Sequence, residues 1–558
     1  MVRKLFGFLY KETNTLNQAA LLLGLFALLS QILAFLRDRL LAHIFGASAE
    51  LDIYYAAFRI PDFLFVLAAS VVSLSVLIPF IIEKEALGRE DLRHFVDNVF
   101  SFFFVLMIVI SVSTFFVLPF LSSAIFKGFS NEALAEVVFI SRILLLSPII
   151  LGFSNLLGSL TQAYNRFTVY ALSPLLYNTG IIVGIIFLAE KFGVTGVAIG
   201  VLIGACLHAL IQVPFVVASG LFPRPIFSLD FGSILKVVRI SFPRTLTLSM
   251  NQLSILFLTS LASFMASGSI SIFSLSFNLQ AVPISIIGVS YSLAAFPTLT
   301  RRFRENNLKA FLEQMTNTAR LIIFWSLPLS ALFIVTRAQI VRVILGSGLF
   351  DWEATRLTAA SVALFALSSV FQSLLLLFMR GFYSAGFTKK PFVINMVSTG
   401  IIVASSYLLI KVFYFSENFR YFISTFLKVE DLPDSSVLML PLGFTIGTII
   451  NCLWHWFAFE REFRGFSAGV LKTLLQSLGA SAVIGLTAYT GLNIFAKVFD
   501  LTTLVGIFLQ GFLSGVLAIL VGIVLLVVVG NREVGDIWKA LLGKFWKAKV
   551  IATDPEIV

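Results

Sequence analysis

The side chains able to do chemistry in this chain are few, and they sit inside long apolar runs rather than between them. Gln31, Arg37, Asp38 and Arg39 close one such run, and Asp52, Arg59 and Asp62 follow at i, i+7 and i+10 in the next. Arg244, Thr247, Asn251 and Ser254 fall at helical spacing further on, as do Ser271, Ser274, Asn278 and Ser285. An ionisable or amide group in hydrocarbon is costly, so each predicts a cavity wall, a solute pathway or a helix-to-helix hydrogen bond. Asp52 and Arg59 are separated by about 10 Å along a helix axis, too far to pair directly. They must face partners on other helices or line a wet cavity. An adjacent pair of opposite sign such as Arg37-Asp38 can exchange partners during a gating motion. This is chemistry of binding and gating. The sequence has no G-x-x-x-x-G-K-[ST] phosphate loop, no G-x-G-x-x-G and no H-E-x-x-H, and the four histidines share no ligand spacing. No cofactor or metal is expected.

The elements that hold these residues follow from composition. Of 558 residues 58% are hydrophobic and only 12% charged, with 60 Phe and a mean hydropathy of +0.98, which excludes a water-soluble surface, disorder and fibrous repeats. Apolar blocks bounded by charge, Gly or Pro predict fourteen membrane-spanning helices, at 16–36, 50–82, 93–120, 133–160, 167–190, 194–215, 246–265, 269–298, 310–335, 357–379, 392–410, 437–458, 473–496 and 501–530. The net charge of +11 comes from basic residues in short connections, mainly on the side of the N-terminus. They read as topology signals that place both termini in the cytoplasm, not as a nucleic-acid surface. Cys206 and Cys452 both lie in apolar stretches, so no disulfide framework is expected.

The chain repeats itself at a spacing of about 220 residues. Thr179-Gly180-Ile181-Ile182-Val183 recurs as Thr399-Gly400-Ile401-Ile402-Val403, Tyr164 and Phe167 match Tyr383 and Phe387, and Pro79 matches Pro297. Repeats six spans apart share one orientation, which implies two lobes around a central cavity and makes alternating access natural. The expected organisation is an all-α polytopic protein with six-helix lobes at 1–220 and 221–460, two additional helices at 461–530 and a cytoplasmic tail at 531–558. In that tail Trp538, Leu541, Leu542 and Phe545 mark one apolar face of a surface helix. The two additional helices lie outside the duplication and are expected to be dispensable for the core fold. Gly196, Gly200 and Gly204 form a ladder that predicts close helix packing.

Two segments resemble a known family. Phe35-Leu36-Arg37-Asp38, continuing through Ile44-Phe45-Gly46-Ala47 to Asp52 and Ala57-Phe58-Arg59-Ile60-Pro61-Asp62, resembles the F-x-R-D…I-F-G-A…D…A-F-[KR]-[IL]-P-[ND] signature of the MurJ/MviN lipid II flippases. Ala262-Ser263-Phe264-Met265-Ala266-Ser267-Gly268-Ser269 is similar to that family's A-S-F-L-A-S-G-S segment. The resemblance, within the multidrug/oligosaccharidyl-lipid/polysaccharide exporter superfamily, implies a transporter rather than an enzyme. It would move a polyprenyl-pyrophosphate-linked disaccharide-peptide from the inner to the outer leaflet of the bacterial inner membrane. The head group would enter the cavity and the lipid tail a groove beside the last two helices. In that resemblance Arg37 matches a substrate-binding arginine and Asp52 an acidic residue near the outer gate; the polar residues of the spans add Arg59, Arg244, Gln31, Asn278 and Asn251 as expected substrate-binding residues and Asp38 as a gate residue. The partners implied are the lipid-linked substrate, the bilayer and cell-wall synthesis proteins, with no nucleic acid.

Where that family carries further cavity arginines this chain has Gln31, Phe65 and Asn278, and Ser70 replaces a gate glutamate. Either Arg59 and Arg244 take over the anion, or the cargo differs. Other readings are a flippase for another lipid-linked oligosaccharide, an ion-coupled drug exporter, and a membrane glycosyltransferase using Glu430, Asp431 and Asp434.

Overall fold

The computed structural model describes residues 16–69, 74–432 and 434–535. Ser70 and the tail face at Trp538–Phe545 lie outside the described residues, as does the side chain of Arg244. Among the described residues all regular structure is helical. The helices are α1 (Leu16–Phe45), α2 (Ala49–Ala69), α3 (Leu74–Leu87), α4 (Arg89–Ile125), α5 (Asn131–Leu144), α6 (Leu146–Ala163), α7 (Phe167–Phe187), α8 (Ala189–Leu210), α9 (Val213–Ala218) and α10 (Phe231–Ala262). They continue as α11 (Ser269–Pro283), a π-helical turn (Ile284–Val289), α12 (Ser290–Arg304), α13 (Leu308–Val335), α14 (Arg337–Ile344), α15 (Trp352–Ser384), α16 (Lys389–Phe415), α17 (Glu417–Leu427), α18 (Met439–Glu462), α19 (Phe466–Phe495) and α20 (Leu504–Val528).

Twelve described helical stretches are long and apolar enough to cross a membrane. α1 and α2 are not among the twelve; in α2, Glu50, Asp52, Arg59 and Asp62 interrupt the apolar run. The protein is therefore a multi-pass membrane protein, and the expected fourteen is an approximate number. Polar side chains start the helices where the apolar runs begin. Ser130 accepts from Ala133 N, Asn307 from Ala310 N, Ser416 from Phe419 N and Thr503 from Gly506 N, satisfying backbone donors that the first turn leaves open.

Contacts divide the chain into two compact units. One comprises residues 1–282, 341–368 and 386–454, and the other 283–340, 369–385 and 455–558. The change at 282/283 coincides with Pro283 and the π turn, where the α-helical ladder is already interrupted.

In the first unit α1 packs on α7, and α10 on α16. Within this unit the duplicated spans thus meet corresponding neighbours. The tightest pair is α7 with α8. A Cβ on Gly180 would lie 2.3 Å from Gly204 Cα, and one on Gly184 2.5 Å from Gly200 Cα. Without a hydrophobic drive in lipid, this backbone-to-backbone approach is what holds the two helices. The repeated Gly400 has nothing within 4 Å of its would-be Cβ; the small residues on that side are Gly443, against Ser406, and Gly447, against Ile402.

The second unit is held by aromatic packing and one buried ion pair. Phe311, Phe378, Phe382, Phe459 and Phe466 are fully buried and interlock at centroid distances of 5.2–6.3 Å. α19 lies along α13, and α20 along α19, with Leu332, Ile484, Ala488 and Ala518 as one buried cluster. Arg320 of α13 pairs with Glu533 at 2.6 Å, and Thr473 of α19 joins both, at 3.0 Å from Arg320 Nε and 3.0 Å from Glu533 Oε1. The last helices are therefore part of the packed core of this unit, contrary to the expectation from the repeat. Without them Arg320 would be buried without its counter-charge.

Two outcomes are expected from this packing. Gly180→Ala should lower thermal stability in detergent, by about 1–3 kcal/mol for an overpacked contact, whereas Gly400→Ala should not. Glu533→Ala should cost on the order of 3–5 kcal/mol, because it strands Arg320, while the double change Arg320→Leu with Glu533→Leu should recover most of the loss. Size-exclusion melting curves of the full chain read both.

Candidate functional site

The site is assembled from four helices of the first unit, α1, α2, α7 and α11, one turn at a time. Along α11, Ser271, Ser274 and Asn278 stand at i, i+3 and i+7 and share a face. Each meets an ionisable residue more than two hundred positions earlier in the chain. Asp52 Oδ1 accepts from Ser271 N at 2.7 Å and Ser271 Oγ at 2.6 Å, and its Oδ2 accepts from Gly268 N at 2.7 Å. Arg59 Nη2 donates to Ser274 Oγ at 2.8 Å. Asn278 Nδ2 donates to Asp38 Oδ2 at 3.0 Å. Asp38 Oδ1 takes both Arg37 Nε, at 2.9 Å, and Arg37 Nη2, at 2.7 Å, while Arg37 Nη1 reaches Asn178 Oδ1 of α7 at 3.2 Å.

Between these contacts lies a cavity of about 220 Å³ bounded by Arg37, Asp38, Arg59, Asp62 and Asn278, with Tyr54, Tyr55, Phe58, Tyr177, Ser274 and Phe277 completing the wall. Arg59 Nε and the Tyr55 hydroxyl have no hydrogen-bond partner. Phe277 is fixed by edge contacts with Phe365 and Phe444. Two guanidiniums, two carboxylates, phenols and an amide equip this space for an anionic group carrying hydroxyls, with aromatic rings against its apolar surfaces.

Asp52 lies elsewhere. It is buried beside the N-terminus of α11, where a carboxylate satisfies open backbone donors and opposes the helix dipole. The same end of the unit is interlocked by backbone. Gly268, at φ +89, would bring a Cβ to 2.4 Å from Ala47 O, and Gly348, at φ +62, to 2.3 Å from His43 O. Leu349 N donates to His43 O at 2.9 Å, and Arg39 Nη1 donates to Val343 O at 2.6 Å, capping the last carbonyls of α14. Asp52 thus belongs to a closed end, and Arg59 and Asp62 to a chamber about 10–15 Å further along α2.

Of the other expected residues, Gln31 is half-buried and Asn251 exposed, and neither lines the cavity. Ser254 instead bonds Thr399 Oγ1 at 3.2 Å, joining α10 to α16. Tyr54, Tyr55, Tyr177 and Asn178 were not anticipated. Asn178 carries the same signal as Asn278, an amide within an apolar run, but tyrosines in so aromatic a chain carry none. His208 meets Ser154 Oγ at 2.7 Å, and Arg142 lies over the Phe115 ring at 4.4 Å, so both have local partners. In the acidic loop Asp431 takes Arg356 at 2.5 and 2.6 Å, which holds its carboxyl below the usual carboxylate range; Glu430 accepts from Thr425, and Asp434 from Ser436 N. Each carboxylate has a structural partner.

Long apolar helices around a small charged chamber, closed at one end by interlocking turns, define a polytopic membrane transporter. A family model described as lipid II flippase MurJ matches residues 41–510. The chain belongs to this family. The lipid II flippase MurJ of Burkholderia cenocepacia is 23% identical over 491 residues, which cover 86% of this chain and 90% of the relative. A solved structure titled lipid II flippase MurJ, inward closed conformation, superposes with a TM-score of 0.71 at 21% identity, covering 94% of this chain and 99% of that one. An inward-facing multidrug resistance MATE family transporter of the MOP superfamily shares the fold at a TM-score of 0.62 and 15% identity, covering 79% and 96% of the two chains.

If the carboxylate of Asp52 keeps the end closed, Asp52→Asn should open it, since an amide offers one acceptor oxygen to three donors. With Ser274→Cys as the only thiol, an impermeant maleimide applied from the Asp52 side should label several-fold faster after Asp52→Asn. Unchanged labelling would remove Asp52 from the closure.

Proposed function

We propose that this protein is a lipid II flippase, carrying the polyprenyl-pyrophosphate-linked peptidoglycan precursor from the inner to the outer leaflet by alternating access. The observation that carries the reading is the family match across residues 41–510. The cavity geometry supports it. A pyrophosphate and a disaccharide cannot cross about 30 Å of hydrocarbon unaided, and a chamber with guanidiniums replaces the water they lose. Arg37 and Arg59 grip the anion, and Arg244 adds to them as the substrate enters. Asn278, Tyr55 and Asp62 meet the sugar hydroxyls, with Gln31 and Asn251 engaged in other states of the cycle. Asp38 acts as an internal counter-ion that releases Arg37 when phosphate arrives, and Asp52 latches the outer end.

The lobes at 1–220 and 221–460 rock about the chamber, the helices of 461–530 border the lipid tail, and both termini face the cytoplasm, as the distribution of Lys and Arg supports. Enzymes that polymerise the precursor are the natural partners at the outer face. The activity is transport without catalysis.

Expression of the chain should restore growth to cells depleted of their own lipid II flippase and restore outer-leaflet exposure of lipid II. One lost charge-assisted contact is worth about 1.5–3 kcal/mol, so Arg59→Ala and Arg37→Ala should each cut flipping by one to two orders of magnitude at normal membrane abundance. Lysine should rescue only in part, since it keeps the charge and loses the fork. Glu430→Ala, Asp431→Ala and Asp434→Ala combined should leave flipping near wild type, and abolition there would favour a glycosyltransferase. Failure to restore exposure of lipid II, with rescue of another lipid-linked glycan, would reassign the cargo.

A further inference from the structure

α17 carries more apolar surface than its packing uses. One face, Phe419, Ile423 and Leu427, turns toward the protein, and Ile423 and Leu427 are buried. A second face is aromatic and uncovered: Phe422 is 62% exposed and Phe426 70%, the two rings stacked at 6.2 Å, whereas Tyr421, 70% exposed, turns to the polar side beside Glu417 and Arg420. The residue that ends the preceding helix, Phe415, is 96% exposed. Polar side chains occupy a third sector, where Glu417, Arg420 and Glu430 border a recess of about 550 Å³. A helix beside water would present polar residues on every face not packed on protein.

The chain fixes the level at which this helix lies. α16 has 27 residues, about 40 Å of helix, enough to cross the hydrocarbon, so Phe415 stands at the membrane boundary. Lys411, over the Tyr407 ring at 4.7 Å, marks the same boundary. Ser416 caps α17 at once by accepting from Phe419 N, so the chain does not run on into the aqueous phase. At the far end of α17 the first turns of another span hold it, since Arg356 of α15 donates to Lys428 O at 2.5 Å and to Asp431. Both ends of α17 are thus tied to residues at the ends of membrane spans.

The geometry points to α17 as an interfacial helix that seats Phe422 and Phe426 in the headgroup–acyl boundary of the leaflet where α16 ends, with Tyr421 at the polar margin. The occupant of the aromatic face is phospholipid. Continuity with the lipid-facing surface of α16, through exposed Leu408, Val412 and Phe415, carries the choice over a protein partner. Aromatic rings with a polar rim are the side chains that prefer this boundary.

The test is spin-label accessibility in the full chain, reconstituted in phosphatidylethanolamine/phosphatidylglycerol vesicles after Cys206→Ser and Cys452→Ala. Labels are attached through Phe422→Cys and Phe426→Cys, with Val412→Cys as the lipid-facing control and Glu417→Cys as the aqueous one. Labels at 422 and 426 should be several-fold more accessible to oxygen than to a water-soluble nickel chelate, at a depth shallower than at 412, while 417 shows the reverse. Chelate accessibility at 422 and 426 equal to that at 417 would place the face in water. Low accessibility to both reagents would mean a second copy or another protein covers it. Either result overturns the assignment, and neither depends on what the protein transports.

Discussion

Charge in hydrocarbon must be compensated, and the hydrogen-bonded ladder along α11 is where this molecule does so. Ser271, Ser274 and Asn278 rise one turn after another and engage Asp52, Arg59 and Asp38. Each of those three groups would be expensive in lipid without a partner. The compensation therefore fixes α1 and α2 against α11, and through Arg37 and Asn178 it reaches α7. The cavity is what remains between groups that had to meet.

The same ladder separates two roles. At its first rung, Asp52 is saturated by three donors and surrounded by turns whose glycines allow backbones to touch, so this rung is suited to opening and closing as a unit. At the later rungs, donors are left over: Arg59 Nε and the Tyr55 hydroxyl have no protein partner and border the chamber. With Arg37 and Asp38 already paired, the chamber is close to charge-balanced. Asn278, standing where the family resemblance leads one to look for an arginine, donates instead to Asp38.

Elsewhere the packing uses two opposite devices. Between α7 and α8 the absence of side chains brings backbones together, and in the second unit large rings fill the space between helices. The duplicated Thr-Gly-Ile-Ile-Val motif shows how little a motif says about which device applies, since Gly180 lies against Gly204 while Gly400 faces open space. The repeat likewise suggested that the last two helices stand apart, but α19 packs along α13, and Arg320 of α13 pairs with Glu533, a few residues past α20.

The amino-acid sequence determined the class of protein, because spanning a bilayer demands long apolar helices and leaves a signal in composition that no tertiary contact can disguise. It also exposed Arg37, Asp38, Arg59 and Asn278, since a polar side chain in an apolar run stands out wherever it ends up. Tertiary structure alone decided their partners. Asp52 meets Ser271 across 219 positions, and Arg59 meets Ser274 across 215, distances over which spacing carries no information. Only the folded arrangement could show that Asp52 caps a helix rather than lining the chamber, that Asn251 lies exposed and off the cavity wall, and that Tyr55 and Tyr177 line it. An aromatic ring is at home in lipid, and so common in this chain that its sequence position does not say whether it faces a ligand, and a hydrogen bond between distant helices exists only once packing has brought them together.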